Sequence, residues 1–381
     1  MNSIRFGGTK RLLALLIFAN CQLLAANSLL AQAPEMGLRV TKQLPATAVK
    51  NQGVTGTCWS FSTTAMLESE CLRKNGGELD LSEMFTVRNI YLEKAENYVR
   101  RQGKAQFDEG GLGHDVLHAI RTYGAMPEAA YSGLKPGQRG HDHSQLVKNL
   151  RAYLDETLKQ RPVPTAWREG FVSILDDALG TPPATFDFNG TTYTPKDFAA
   201  QILRFNPDEY VSLTSYTHHP FYQPFIVEIP DNWANGSYLN VPLSELFAAV
   251  NSSLEKGYTV MWDADVSNPG WNQRRGYALE PLQKGDASNP DAAEKPATPE
   301  LRQQLFDSQV TTDDHLMQLT GTALSPAGKR FYLVKNSWGE AAGPFRGYIY
   351  VSEPYFALNT VTVILPKAGL SEELKAKFAV K

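Results

Sequence analysis

Cysteine is scarce in this chain: 381 residues carry three, at positions 21, 58 and 71. That excludes a small scaffold held together by disulfides. An excess of positive charge is also missing, with 37 Lys and Arg against 40 Asp and Glu. The first 33 residues hold Arg5, Lys10 and Arg11 and no acid, which leaves the remainder at −6. A mildly acidic body argues against nucleic acid, whose phosphate backbone wants a basic face. There is no internal repeat, and no apolar run approaches the ~20 residues of a membrane span. The apolar stretch "LLALLIFA", residues 12–19, is broken by Asn20, Cys21 and Gln22. With its charged flank and the small residues of "SLLAQA", it reads as a secretory signal over residues 1–33 instead of a stable span. The expected location is therefore secreted or periplasmic. Pro34 follows Ala33, a poor residue after a cut, so the cleavage point is left open.

The rest of the chain is ample for a packed core, at 42% apolar residues overall. "SFSTTAMLESECLRKNGG" has helical spacing and a stop at Asn75-Gly76-Gly77. "LSEMFTVRNIYLEKAENYVRRQG" reads as a helix capped by Ser82. A short helix follows Gly110-Gly111, and residues 144–180 read as two helices split at "RPVPT". A hairpin is expected around Asn189-Gly190, then a helix after Pro195. Beyond about residue 210 the period changes. "YVSLTSY", "PFIVEI", "GYTVMWDADV", "LMQLTGTAL", "RFYLVKNSW", "GYIYVS" and "TVTVIL" are β-like, interrupted by one helix, "LSELFAAVNSSLEKG". Residues 284–300 read as an exposed loop. Helices first and strands later make an α+β chain with a cleft where the halves meet.

Two thiols remain after export, Cys58 and Cys71. On one helix they stand thirteen residues apart, roughly 20 Å. A disulfide needs Cα atoms within about 7 Å, so these two do not pair with each other. Cys71 reads as a small buried residue. Cys58 stands at a helix mouth, where the dipole, helped by a nearby imidazolium, lowers a thiol pKa. His315 opens a β-like run, and Asn336 follows 21 residues later with an amide oxygen able to fix the imidazole tautomer. That is the logic of nucleophile, base and orienter. Gln52, six residues before Cys58, can donate to an oxyanion beside the Cys58 backbone N–H. His114 and His118 have helical zinc spacing, but "HDVLH" lacks the glutamate of that motif. "HDH" at 141–143 and His218-His219 read as solvated surface. No metal or other cofactor is expected. Asp313 and Asp314 either raise the His315 pKa or face water.

"QGVTGTCWSFS", "DDHLMQLTG" and "KNSWGE" together resemble the papain-type cysteine peptidases. The resemblance implies a triad of Cys58, His315 and Asn336, with Gln52 in the oxyanion hole. It implies that Trp338 shields the His–Asn pair, and that Gly110, Gly111 and Trp59 contact the peptide substrate. The Cys58–His315 gap of 257 residues, with its insertion over about 136–300, is similar to the bleomycin hydrolase and aminopeptidase C branch. The resemblance further implies a two-lobed fold, a helical lobe carrying the nucleophile packed on a barrel-like β lobe within a peptidase domain spanning 34–381. A homo-oligomer is also implied. In that branch a terminal carboxylate lies in the cleft and binds the substrate's amine. Here the tail 366–381 ends "LPKAGLSEELKAKFAVK", with Leu374, Phe378 and Val380 as anchors able to dock it near the cleft. Peptide-bond hydrolysis through an acyl-enzyme, aminopeptidase-like, is the expectation. The alternatives are an open-cleft endopeptidase, a non-catalytic peptide binder and a transglutaminase-type acyltransferase. Gln52 and the "NSWG" context argue against the last.

Overall fold

A computed structural model of the chain describes residues 32–33, 37–75, 77–283 and 289–379. The expected signal segment therefore lies outside the described residues except Gln32–Ala33 (β1), which pairs with β2 (Leu38–Gln43). Five helices follow: α1 (Cys58–Asn75), α2 (Glu83–Arg100), α3 (Gly113–Tyr123), α4 (Ser144–Lys159) and α5 (Trp167–Leu179). Ser82 caps α2 as its pattern implies, its side chain accepting from the Phe85 N–H. Past the hairpin β3 (Phe186–Phe188) and β4 (Thr191–Tyr193), the helix after Pro195 is a single turn, α6 (Pro195–Phe198), continued as a π-turn to Leu203. Then come β5 (Tyr210–Thr214), β6 (Pro224–Ile226), β7 (Ser237–Asn240), α7 (Leu243–Glu255), β8 (Val260–Ala264), β9 (Trp271–Asn272) and β10 (Tyr277–Ala278). The chain closes with α8 (Pro299–Asp307), β11 (His315–Leu324), β12 (Arg330–Lys335), β13 (Tyr348–Ser352), α9 (Glu353–Asn359), β14 (Thr360–Pro366) and α10 (Glu372–Lys377). No helix among the described residues is long and apolar enough to cross a membrane.

The fold is α+β, but its sheet is an open path and not the barrel-like lobe expected. The order is β6-β7-β5-β14-β8-β11-β12-β13-β10-β9, with β2 added along β11. The pairs β5/β7 and β10/β13 are parallel. The ten-residue β11 organises the sheet: β8 pairs with residues 315–319, β2 with residues 321–324, and β12 runs along its other edge. Closure fails because the path ends on short strands that do not meet each other among the described residues. Strands β5 to β10, from the long stretch between Cys58 and His315, are built into this same sheet.

Alternation along the strands divides the core in two. Met261, Leu316 and Ile364 face α1 and join the helical core with Phe61, Met66 and Leu67. Trp262, Met317, Leu319 and Val363 face the other way, against Leu246 and Val250 of α7 and Phe356 of α9. Gln318 is the polar pin between α1 and the sheet, its amide donating to Ala65 O (3.0 Å) and Ser69 Oγ (2.8 Å). Leu374 and Phe378 of the tail are buried in the α7 layer. Ser252 Oγ donates to Gly369 O at 2.8 Å, and Lys377 Nζ pairs with Glu245 at 3.1 Å. The described tail is thus on the sheet face opposite α1, away from the cleft where it was expected to dock. Its apolar residues complete the second core. Val380, the third expected anchor, lies outside the described residues.

Candidate active site

Cys58 is the first residue of α1, and His315 is the first residue of β11. A hydrogen bond from the Leu316 backbone reaches the Cys58 sulfur, so the thiol stands at the residue after the imidazole. The register Gln318↔Lys335 carries Asn336, just past β12, back alongside the start of β11. There His315 Nε2 meets Asn336 Oδ1 at 2.7 Å, with both side chains buried. With Nε2–H committed to the amide, Nδ1 is the nitrogen left to receive a proton. The Asn336 amide is fixed in turn, accepting from Ser337 N (2.7 Å) and donating to Gln273 Oε1 (3.0 Å). The half-buried Trp338 lies over His315, ring centroids 4.7 Å apart and 31° between planes.

The loop before α1 is tied to the same strand end. Gln52 N donates to Ser337 O (2.9 Å), Gly339 N donates to Lys50 O (3.0 Å), and Ser337 Oγ donates to Gln52 Oε1 (2.6 Å). Gln52 Nε2 gives one N–H to Thr55 O at 2.7 Å and keeps a second. Gly53 makes the turn possible: its φ is +68°, and a Cβ there would stand 2.3 Å from His141 O.

Burial dominates the electrostatics. It pushes the Cys58 thiol up to about 12, against the Leu316 hydrogen bond, with the carboxylates of Asp313, Asp263 and Asp231 pushing the same way. It pulls His315 down to about 4, opposed by the Asn336 hydrogen bond and the charge of Asp314. The lowered thiol pKa expected from the helix mouth is therefore not what the isolated group feels. Each group alone favours its neutral form, because a single charge loses its hydration. Of the two aspartates before His315, Asp314 is exposed, whereas burial holds Asp313 well above the usual carboxylate range beside Asp263.

Gly110 and Gly111 form a ledge ahead of α3. Trp59, expected at the substrate, is fully buried beneath that ledge. Its indole N–H donates to Glu109 O (3.0 Å), and a Cβ on Gly111 would stand 3.0 Å from its ring. The two zinc-spaced histidines go separate ways: His114 Nδ1 to Tyr238 OH (2.9 Å) and His118 Nε2 to Glu93 (2.9 Å). His218 and His219 both reach Glu228, the three ligand-type atoms lying within 4.8 Å of one another. That carboxylate is nine residues from His219 and carried no sequence signal. Cys58 and Cys71 are both buried and free. Gln273, Ser337 and Asp231 join the site without having been singled out in the sequence. Ser337 could have been found inside "NSWG". Asp231 could not, being 121 residues from the glycine it touches.

With this geometry in hand, the kinship of the chain is clear. The Peptidase C1-like family matches residues 99–381, and the papain family of cysteine proteases matches residues 34–131. Aminopeptidase C of Lactobacillus delbrueckii subsp. lactis is 23% identical over 378 residues, covering 87% of this chain and 82% of that protein. Aminopeptidase W of the same organism is 25% identical over 387 residues, covering 87% and 84%. The crystal structure of PepW from Lactobacillus rhamnosis HN001 superposes with a TM-score of 0.72 at 20% identity, covering 93% of this chain and 86% of that one, a likeness of fold. The chain belongs to the Peptidase C1-like family, and it is a papain-type cysteine peptidase.

Proposed function

We propose that this protein cleaves peptide bonds with Cys58 as nucleophile, His315 as general base and acid, and Asn336 as the orienter of the imidazole, acting preferentially on free N-termini. The observation that carries the reading is the buried 2.7 Å contact of His315 Nε2 with Asn336 Oδ1 beside the Cys58 helix mouth. Transfer of the thiol proton to His315 Nδ1 creates thiolate and imidazolium together. The mutual attraction of the two charges offsets part of the desolvation cost that holds each separate charge back. The thiolate attacks the scissile carbonyl, and its oxygen takes the negative charge. The Cys58 backbone N–H at the helix start and the remaining Gln52 Nε2–H are the donors for that oxyanion. The tetrahedral centre collapses, the C–N bond breaks, and the imidazolium gives its proton to the departing amine. A water then gives a proton to His315 and attacks the thioester. Collapse expels the sulfur, which recovers its proton. Trp338 over the imidazole keeps bulk water from the His–Asn hydrogen bond.

The preference for free N-termini is supported by the aminopeptidases this chain resembles. Export is supported by the charged, apolar and small-residue order of residues 1–33. Labelling by an epoxide-type thiol inhibitor in the wild type, lost in Cys58→Ala, tests the nucleophile. Comparing a free-amine aminoacyl amide with an N-blocked internal substrate tests the preference. The N-terminal mass of the protein made by its own cell tests processing. A blocked substrate cut faster than the free amine would make the enzyme an endopeptidase.

A further inference from the structure

An enzyme that selects free N-termini must hold an ammonium close to its nucleophile, and an ammonium is a donor only. The described tail sits on the other face of the sheet and supplies no acceptor there. Asp231 does. Its carboxylate stands on the Gly110 ledge so closely that a Cβ on Gly110 would lie 1.9 Å from Oδ2. Asp231 is held in place by its loop. Trp233 Nε1 donates to Asp115 Oδ2 (3.1 Å), the atom that also accepts from Leu112 N (2.8 Å). Gln106 Nε2 donates to Asp231 Oδ1 at 2.5 Å. The nearby Lys94 ammonium is spent on the backbone oxygens of Asp108 and Gly110, and Asp231 has no ion-pair partner among the described residues. The fully buried Asp263 on β8 is already satisfied: its Oδ2 accepts from Thr362 Oγ1 (3.0 Å), and its carboxylate shares a hydrogen bond with the Asp313 carboxyl. Asp231 is therefore the carboxylate left for a ligand at the ledge.

We propose that Asp231, standing over Gly110, holds the free ammonium of the substrate's N-terminal residue, so that the loop around Asp231 closes the cleft on the amine side of the scissile bond. This rests on the free N-terminus reading above. It assigns to an internal loop the blocking and the negative charge that a chain end would otherwise supply.

The test compares leucine amide of a fluorogenic amine with its des-amino analogue, isocaproyl amide, in wild type and D231N. Both substrates fit the same space and differ in the ammonium. A hydrogen-bonded charge of this kind is worth about 10- to 100-fold in kcat/KM. The wild type should prefer the free amine by that factor, and the preference should collapse toward unity in D231N, mainly through KM. The rate of Cys58 alkylation by iodoacetamide, which carries no amine, reports whether the nucleophile survives the substitution. D231S, which removes the charge with a smaller side chain, offers the same readout should D231N fail to fold. A wild type without preference for the amine would sink the free N-terminus reading itself. A wild-type preference that persists in a D231N enzyme with normal alkylation would overturn the Asp231 assignment alone. A loss confined to acetyl-arginine relative to acetyl-leucine substrates would assign this carboxylate to a basic side chain and also overturn it.

Discussion

Replacing Asn336 by Ala isolates the part of the site that carries no proton. The substitution removes the Oδ1 acceptor that His315 Nε2 meets at 2.7 Å and that Ser337 N also uses. His315 and Ser337 are both buried, so neither donor finds water readily. Each orphaned donor costs about 1–3 kcal/mol, and the thermal midpoint should fall accordingly. The catalytic consequence is separable. The Asn336 hydrogen bond raises the His315 pKa against burial, and without it the imidazole falls below its already lowered position near 4. The thiolate–imidazolium pair then becomes rarer, and the imidazole loses its fixed tautomer. A loss of about 1–3 kcal/mol in the transition state corresponds to roughly 5- to 160-fold in kcat. The assay is the second-order rate of iodoacetamide alkylation at pH 7, beside kcat and KM for a peptide amide. Alkylation and kcat should fall together, KM should move less than twofold, and a measurable remnant should survive. Alkylation at the wild-type rate while kcat collapses would refute the reasoning. So would a variant as inert as Cys58→Ala.

Other contacts give further expected outcomes. Cys58→Ala should abolish hydrolysis with the thermal midpoint nearly unchanged, while Cys71→Ala, buried elsewhere on α1, should keep kcat within a few-fold. Gln52→Ala should lower kcat by about 10²–10³, the usual cost of one oxyanion donor. Leu374→Ala or Phe378→Ala should cost about 2–5 kcal/mol of stability in chemical denaturation. Neither should change the ratio of free-amine to N-blocked hydrolysis, because both residues pack on the α7 face; a changed ratio would put the tail back in the cleft. Burial lowers His143 to about 4, so between pH 6.5 and 4 the unfolded chain binds a proton that the folded one refuses. Stability should therefore fall as pH drops through that window, by about 3 kcal/mol from this group, and His143→Gln should flatten the slope of melting temperature against pH there.

The residues proposed as nucleophile, base, orienter and oxyanion donor stand in short stretches of sequence. Cys58 at a helix start, His315 opening a strand, Asn336 inside "NSWG" and Gln52 six residues upstream are local signals, each readable from a few neighbours. The change from helical to strand periodicity is equally local, because side-chain alternation is set residue by residue. Tertiary packing settles whatever depends on where distant segments meet. Strand pairing alone sets β8 and β2 end to end along β11 and leaves the sheet open, since register is a property of two segments. The tail was legible as an apolar helix, but its pattern of Leu374 and Phe378 suits either a cleft or a second core, and only packing against α7 selects the latter. Helix-mouth reasoning lowered the Cys58 pKa, whereas the folded site raises it, because desolvation is set by everything that surrounds the thiol and not by the helix that bears it. Asp231 over Gly110 is the plainest case: an ordinary aspartate in an ordinary loop meets a glycine 121 residues away only when folding lays that loop there.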